Sequence, residues 1–141
     1  MSDRTFRAAV AAVGLAGVAV SAYLTWVHYH PAALVCTAGG GCETVQRSHY
    51  AVLLGLPIAL YGLVVWSAVL ALVAWDSELA RALVAAIAVS AFGFAAYLVI
   101  LQLTVIHAVC AWCMVNDVVL TPALAALAGA RILRLAPARG D

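Results

Sequence analysis

"ALVAAIAVSAFGFAAYLVILQLTVI", residues 82–106, runs for 25 residues without a charge. As an α-helix it would measure about 37 Å, more than the roughly 30 Å of a bilayer's hydrocarbon core. An isolated strand would leave its backbone unpaired in lipid, so helix is the reading. The whole chain agrees with this stretch. Of its 141 residues, 67% are hydrophobic and 9% charged, and mean hydropathy is +1.11. The exterior of a soluble domain this size must be largely wet, and this chain lacks the polar residues to make one.

Three further apolar stretches flank it, at about residues 8–27, 51–75 and 108–130, and the few charges separate them. Each approaches or exceeds the roughly 20 residues that a spanning helix needs. The expected fold is therefore all-α and integral to the membrane. It is a single four-transmembrane-helix bundle over residues 1–141, with a long loop at about 28–50 between helices 1 and 2. The first stretch also has a passable cleavage site at Val20-Ser21-Ala22. Its apolar length exceeds the 7–15-residue core of a signal peptide, so it is read as a spanning helix.

Four crossings put both termini on one side, together with the short connection "DSELAR". Arg4, Arg7, Arg81, Arg131, Arg134 and Arg139 lie there, and only Arg47 falls on the other side. The positive-inside rule makes the termini cytoplasmic, in the cell inner (plasma) membrane. Net charge is +1 and no basic patch is present, so no nucleic-acid partner is indicated.

Helix parity then sets all four cysteines at the outer face. Cys36 and Cys42 lie in the long loop, and Cys110 and Cys113 open the fourth helix within "HAVCAWCMVND", residues 107–117. His28, His30, His49 and His107 fall at the same face. Disulfides persist in the oxidising compartment outside a cell membrane. The glycines of "CTAGGGC" let the chain bend until two sulfurs can meet. Cys110 and Cys113, three apart, share a helical face at an N-terminus, where unpaired N–H groups favour a thiolate.

Other readings of these cysteines remain open from the residues alone. They include four unrelated buried thiols, a structural disulfide in the loop, a four-cysteine zinc site, and a zinc or copper site built from the Cys/His cluster. A redox relay is the reading that accounts for both pairs at once.

Asp117 lies four residues after Cys113 and seven after Cys110, hence on their face of an ideal helix. A carboxyl within a membrane segment is by default a functional-site hypothesis, here a proton donor; a hydrogen bond to a neighbouring helix is the structural alternative. On the same ideal helix Asn116 points elsewhere. His107 is expected as an interfacial anchor, with lowering of the Cys110 thiol pKa as its functional alternative. Trp26, Trp75 and Trp112 suit an aromatic belt. Pro57 suits a helix start, and Pro122 is expected to kink the fourth helix.

"CTAGGGCETVQRSHYAVLLGLPIALYG" (residues 36–62), followed by "CAWC" (110–113), resembles the vitamin K epoxide reductase family, in its bacterial branch, over about residues 8–130. The order carries the resemblance: a loop cysteine pair, a serine, a Gly-Leu-Pro entry into helix 2, then C-x-x-C opening helix 4. The quinone-coupled disulfide-bond protein B has the reverse order. The resemblance implies a four-helix bundle around a quinone, with a partly helical outer loop over its mouth. It makes Cys110 and Cys113 the active-site pair, Cys36 and Cys42 a loop shuttle, and Ser48 a supporting loop serine. Cys113, one turn deeper than Cys110, would face the quinone (menaquinone or ubiquinone), with Asp117 beside it where animal relatives have tyrosine.

The function implied is a thiol oxidase, fed by a separate thioredoxin-like (DsbA-like) protein and driving disulfide formation outside the cytoplasm. It assigns no metal ligands. A membrane protein that binds zinc or copper is the alternative from another class, and a small structural subunit is the third.

Overall fold

The computed structural model describes residues 2–36 and 40–135, with side chains as far as Leu133. Gly39, Arg139 and the side chain of Arg134, all used in the sequence reading, lie outside the described residues. Four long apolar helical runs are present, each long enough to cross a membrane. α1 is Asp3–Tyr29, and α2 is a short loop helix, Gly41–Arg47. α3 is Ile58–Trp75, and α4 is Glu78–Leu101, prolonged by a π-helical segment, Gln102–Ile106. The last run begins as α5, Ala111–Met114, and passes through a second π-helical segment, Val115–Leu120, into α6, Thr121–Leu135.

These helices form a ring in which α1 packs on α3, α3 on α4, α4 on α6 and α6 back on α1. The core between them is apolar, with Val10, Val69, Ala88 and Leu124 buried. The outward faces are apolar too: Leu15, Val64 and Val89 are all more than half exposed. In water such a surface would drive association. In lipid it is the solvated surface.

Lipid gives no hydrophobic drive between helices, so close contact must come from small residues. α1 and α3 show it. Gly14 lies under Leu70, Gly17 under the Trp66 indole, and Gly62 beside Ser21. Any Cβ on Gly17 would overlap the indole ring.

Charges gather at the end of the bundle that carries the described termini. Asp76 closes α3 in a left-handed conformation (φ 50°) and accepts ion pairs from Arg7 (3.3 Å) and Arg81 (3.0 Å). Arg131 reaches Asp3 at 2.7 Å and lies over the Phe6 ring. The cysteines are at the other end.

Two boundaries differ from the sequence reading. α3 begins at Ile58, about seven residues later than the hydropathy suggested. The intervening apolar residues form a small antiparallel hairpin, β1 Val52–Leu53 with β2 Leu56–Pro57. Leu54 and Gly55 turn it with positive φ (53° and 82°), the backbone that a tight two-residue hairpin requires. The fourth run begins at Ala111 because His107 turns left-handed (φ 54°) and ends the preceding π-segment. Pro122 is accommodated by widening the helix before it: Thr121 N–H bonds to the Asn116 carbonyl five residues back. Proline cannot donate to the carbonyl four residues back, and a π-turn absorbs that loss.

Replacing Gly17 by alanine should displace the Trp66 indole and destabilise the bundle by about 1–3 kcal/mol, the usual cost of overpacking. Reversible unfolding in denaturing detergent measures it; an unchanged midpoint would mean that the α1–α3 contact is looser than described.

Candidate functional site

The loop after α1 is tied down at Val35. Val35 is held on both sides: its N–H donates to the Tyr23 hydroxyl (2.8 Å), and its carbonyl accepts from the Trp112 indole (2.8 Å). The Tyr23 and Trp112 rings pack together, with centroids 5.1 Å apart. Trp112, expected in an interfacial belt, also clamps the loop through its N–H to the Val35 carbonyl.

Cys36 follows Val35 directly and forms a disulfide with Cys42, Cα to Cα 5.9 Å. Gly40, left-handed at φ 71°, makes the bend into α2. Gly41 then lies against the backbone of Val109, so close that any Cβ would meet the Val109 carbonyl and nitrogen. A hydrogen side chain is what permits this approach.

That contact seats α2 on the C-x-x-C motif. Cys42, Val45 and Cys110 form a buried cluster, with Cys36 and Cys113 packed against it. Cys42 and Cys110 are both fully buried. The sequence reading grouped the four cysteines at one face, and the structure brings them into one contact cluster. Cys110 and Cys113 are free thiols.

The C-x-x-C pair is oriented by its surroundings. Cys110 caps α5, and the Cys113 N–H donates to its sulfur (3.3 Å). The Cys110 N–H donates to the Gln102 side-chain oxygen (2.9 Å). Gln102 is itself buried and sits in the first π-segment. Just before the spanning segment, the Cys110 thiol is lowered to about 7, chiefly by its hydrogen bond with the Cys113 side chain and against the opposing effect of burial.

Below the pair lies a cavity of about 500 Å³ among α1, α3, α4 and the fourth run. Its walls are mostly apolar, including Leu24, Val65, Phe94 and Leu98. Cys113 lines it, whereas Cys110 does not. Asp117, 7% exposed, also lines it, and so does Asn116. Asn116 donates to the Asp117 carboxylate (3.0 Å) and accepts from the Trp66 indole N–H (2.8 Å). An ideal helix would turn Asn116 away. The π-helical turns of Val115–Leu120 bring neighbouring residues to the same wall.

Ser48 caps α2: its hydroxyl and its N–H both donate to the Val45 carbonyl, at 2.7 and 3.1 Å. It also lines the cavity. His107 is exposed, and its conformation ends the π-segment. Among the described residues, no three His, Cys, Asp or Glu side chains converge as a metal site would require.

Sequence reasoning missed Trp66, Asn116, Gln46 and Gln102. A tryptophan near the middle of a spanning stretch, away from both interfaces, was the signal for Trp66. Two glutamines in such an apolar chain could have been flagged in the same way.

This chain matches the model of the vitamin K epoxide reductase family over residues 8–128, and it belongs to that family. A search of curated proteins found no match. Family and geometry together define a membrane thiol–disulfide oxidoreductase of a family that uses quinones.

With Cys36 and Cys113 replaced by alanine, Cys42 and Cys110 should join in a disulfide, visible in peptides mapped without reduction. Adding Gly41→Ala should lower its yield at least threefold, about the effect of 0.7 kcal/mol of strain against Val109. Equal yields would show that the α2 contact does not set the sulfur approach.

Proposed function

We propose that this protein is a quinone-dependent thiol oxidase, reoxidising a thioredoxin-like partner and so driving disulfide formation outside the cytoplasm. The observation that carries the reading is the division of the C-x-x-C pair. Cys110 is buried against the loop disulfide cysteine Cys42, and Cys113 lines the apolar cavity. One sulfur thus faces the incoming electrons and the other the acceptor.

In this reading the partner's two thiols reduce Cys36–Cys42, and the partner leaves as a disulfide. A loop thiolate, Cys42, attacks Cys110 of the oxidised Cys110–Cys113 pair through a mixed disulfide. Cys113 departs as thiolate, and Cys36 then closes the loop disulfide again. Two electrons and two protons now reside on Cys110 and Cys113. A quinone bound in the cavity would accept both. The cavity fits such a ring, being apolar, of ordinary ligand-pocket size, and carrying a few polar groups on one wall.

Cys113 is the sulfur placed to donate there. The lowered thiol of Cys110 serves as the resolving thiolate that closes Cys110–Cys113. Asp117, held by Asn116, is the group on the wall able to relay one of those two protons from the thiol pair to the quinone. Ser48 acts by holding the end of α2, beside the loop pair. The arginine-rich end, facing the cytoplasm, puts the cysteines on the oxidising side of the inner membrane.

The reading is tested in a strain lacking its disulfide-forming membrane oxidase. The wild-type chain should restore secreted disulfides, and alanine at Cys36, Cys42, Cys110 or Cys113 should abolish the rescue. In the purified protein, reduced and then mixed with quinone, Asp117→Asn should slow reoxidation about a hundredfold. The wild-type rate should fall as pH drops through about 7, because the Cys110 thiolate is populated above that value and lost below it. Absence of any quinone-dependent reoxidation sinks the proposal.

A further inference from the structure

The geometry points to Gln46, on the loop helix, as a further catalytic residue: its side-chain amide donates a hydrogen bond to the Cys113 sulfur and stabilises negative charge there.

Gln46 Nε2 lies 3.7 Å from Cys113 Sγ, within hydrogen-bond reach for a sulfur acceptor. The two residues are 67 positions apart in sequence, so only tertiary structure joins them. Gln46 stands four residues after Cys42 on α2, one turn along the same face. Two constraints hold it there. The Cys36–Cys42 disulfide ties the start of α2 to the segment clamped at Val35, and Gly41 lies on the Val109 backbone. Gln46 also lines the cavity that Cys113 lines, so the amide approaches the sulfur from the loop side of the space the acceptor would enter.

The chemistry of the site gives this donor a task. Cys110 is served by the Cys113 N–H and, through its backbone, by Gln102, with the Gln46 side chain reaching it as well; Cys113 has the direct Gln46 hydrogen bond. Cys113 is half-buried near the start of an apolar run and lines a mostly apolar cavity, so few groups are at hand to solvate a developing charge. In the exchange proposed above, Cys113 is the sulfur that leaves when a loop thiolate attacks Cys110, and a leaving thiolate departs faster when its charge is stabilised. It is also the sulfur facing the acceptor. An amide donor is neutral and cannot take the proton away, so it serves both steps without becoming a competing base. Because the donor belongs to the loop, the segment that delivers electrons also stabilises the sulfur that receives them.

The identity of the acceptor rests on the thiol:quinone reading, but the hydrogen bond does not, and the experiment separates the two. Cys113 alkylation by iodoacetamide at neutral pH is followed by mass spectrometry in the reduced full-length protein, with no quinone present. Gln46→Met keeps the length and unbranched shape and removes the donor. It should slow Cys113 alkylation about threefold to tenfold, the scale of one net hydrogen bond. Gln46→Glu, which sets an anion against the sulfur, should slow it further. Equal rates in wild type and both variants, with Cys36–Cys42 still forming on oxidation, would overturn the assignment. Should Gln46→Met fail to form that disulfide, the isosteric Gln46→Glu decides alone by the same criterion. Quinone-driven reoxidation of the wild type is measured separately. Its failure together with slowed alkylation in the variants would reject the quinone and keep Gln46.

Discussion

Gly41 lying on the Val109 backbone is the contact on which the rest of the site depends. It joins the loop between α1 and α3 to the start of the fourth run, two segments far apart in sequence. Through it Cys42 and Cys110 become neighbours with neither exposed. Burial of this kind keeps both sulfurs away from solvent. The same contact carries Gln46 over Cys113, so the donor and the sulfur pair are set by one seating. The Tyr23–Val35–Trp112 clamp fixes the loop on its other side.

The membrane shapes this site as much as the cysteines do. Backbone groups in lipid must be satisfied within the protein, and two departures from a regular helix show how. The π-segment Gln102–Ile106 ends at His107, and Gln102 both closes that end through its carbonyl and takes up the Cys110 N–H through its side chain. Farther along, Val115–Leu120 widens ahead of Pro122, and the Thr121 hydroxyl and N–H both return to the Asn116 carbonyl. That widening turns Asn116 onto the cavity beside Asp117 and within reach of Trp66. The irregularities of these helices are thus where the polar groups of the site are presented.

The distribution of charge completes the architecture. Arginines and acids pair at one end, where Asp76 joins Arg7 and Arg81, and Arg131 joins Asp3. The cysteine end holds almost none of this pairing; the exposed Glu43–Arg47 pair on α2 is its ion pair among the described residues. The bundle therefore has a polar, cross-linked base and an apolar chamber under a thiol-bearing lid.

The fold class was legible in the sequence because lipid solvation is a property of composition: uncharged runs of this length can satisfy their backbones in a bilayer only as helices. The C-x-x-C spacing, the glycines between Cys36 and Cys42, and the lone carboxyl at Asp117 were legible for the same kind of reason, each being a local pattern with a local consequence. The hairpin at Val52–Pro57 was not, since its apolar residues read like the helix that follows. Nor was the role of Asn116, because a π-turn shifts which residues share a wall, and hydropathy does not register the shift. Gln46 on Cys113, Gln102 on Cys110 and Trp66 on Asn116 are contacts between distant segments. They arise from how four helices and one loop close on each other, and that closure depends on packing at Gly17 and Gly41, which no periodicity encodes.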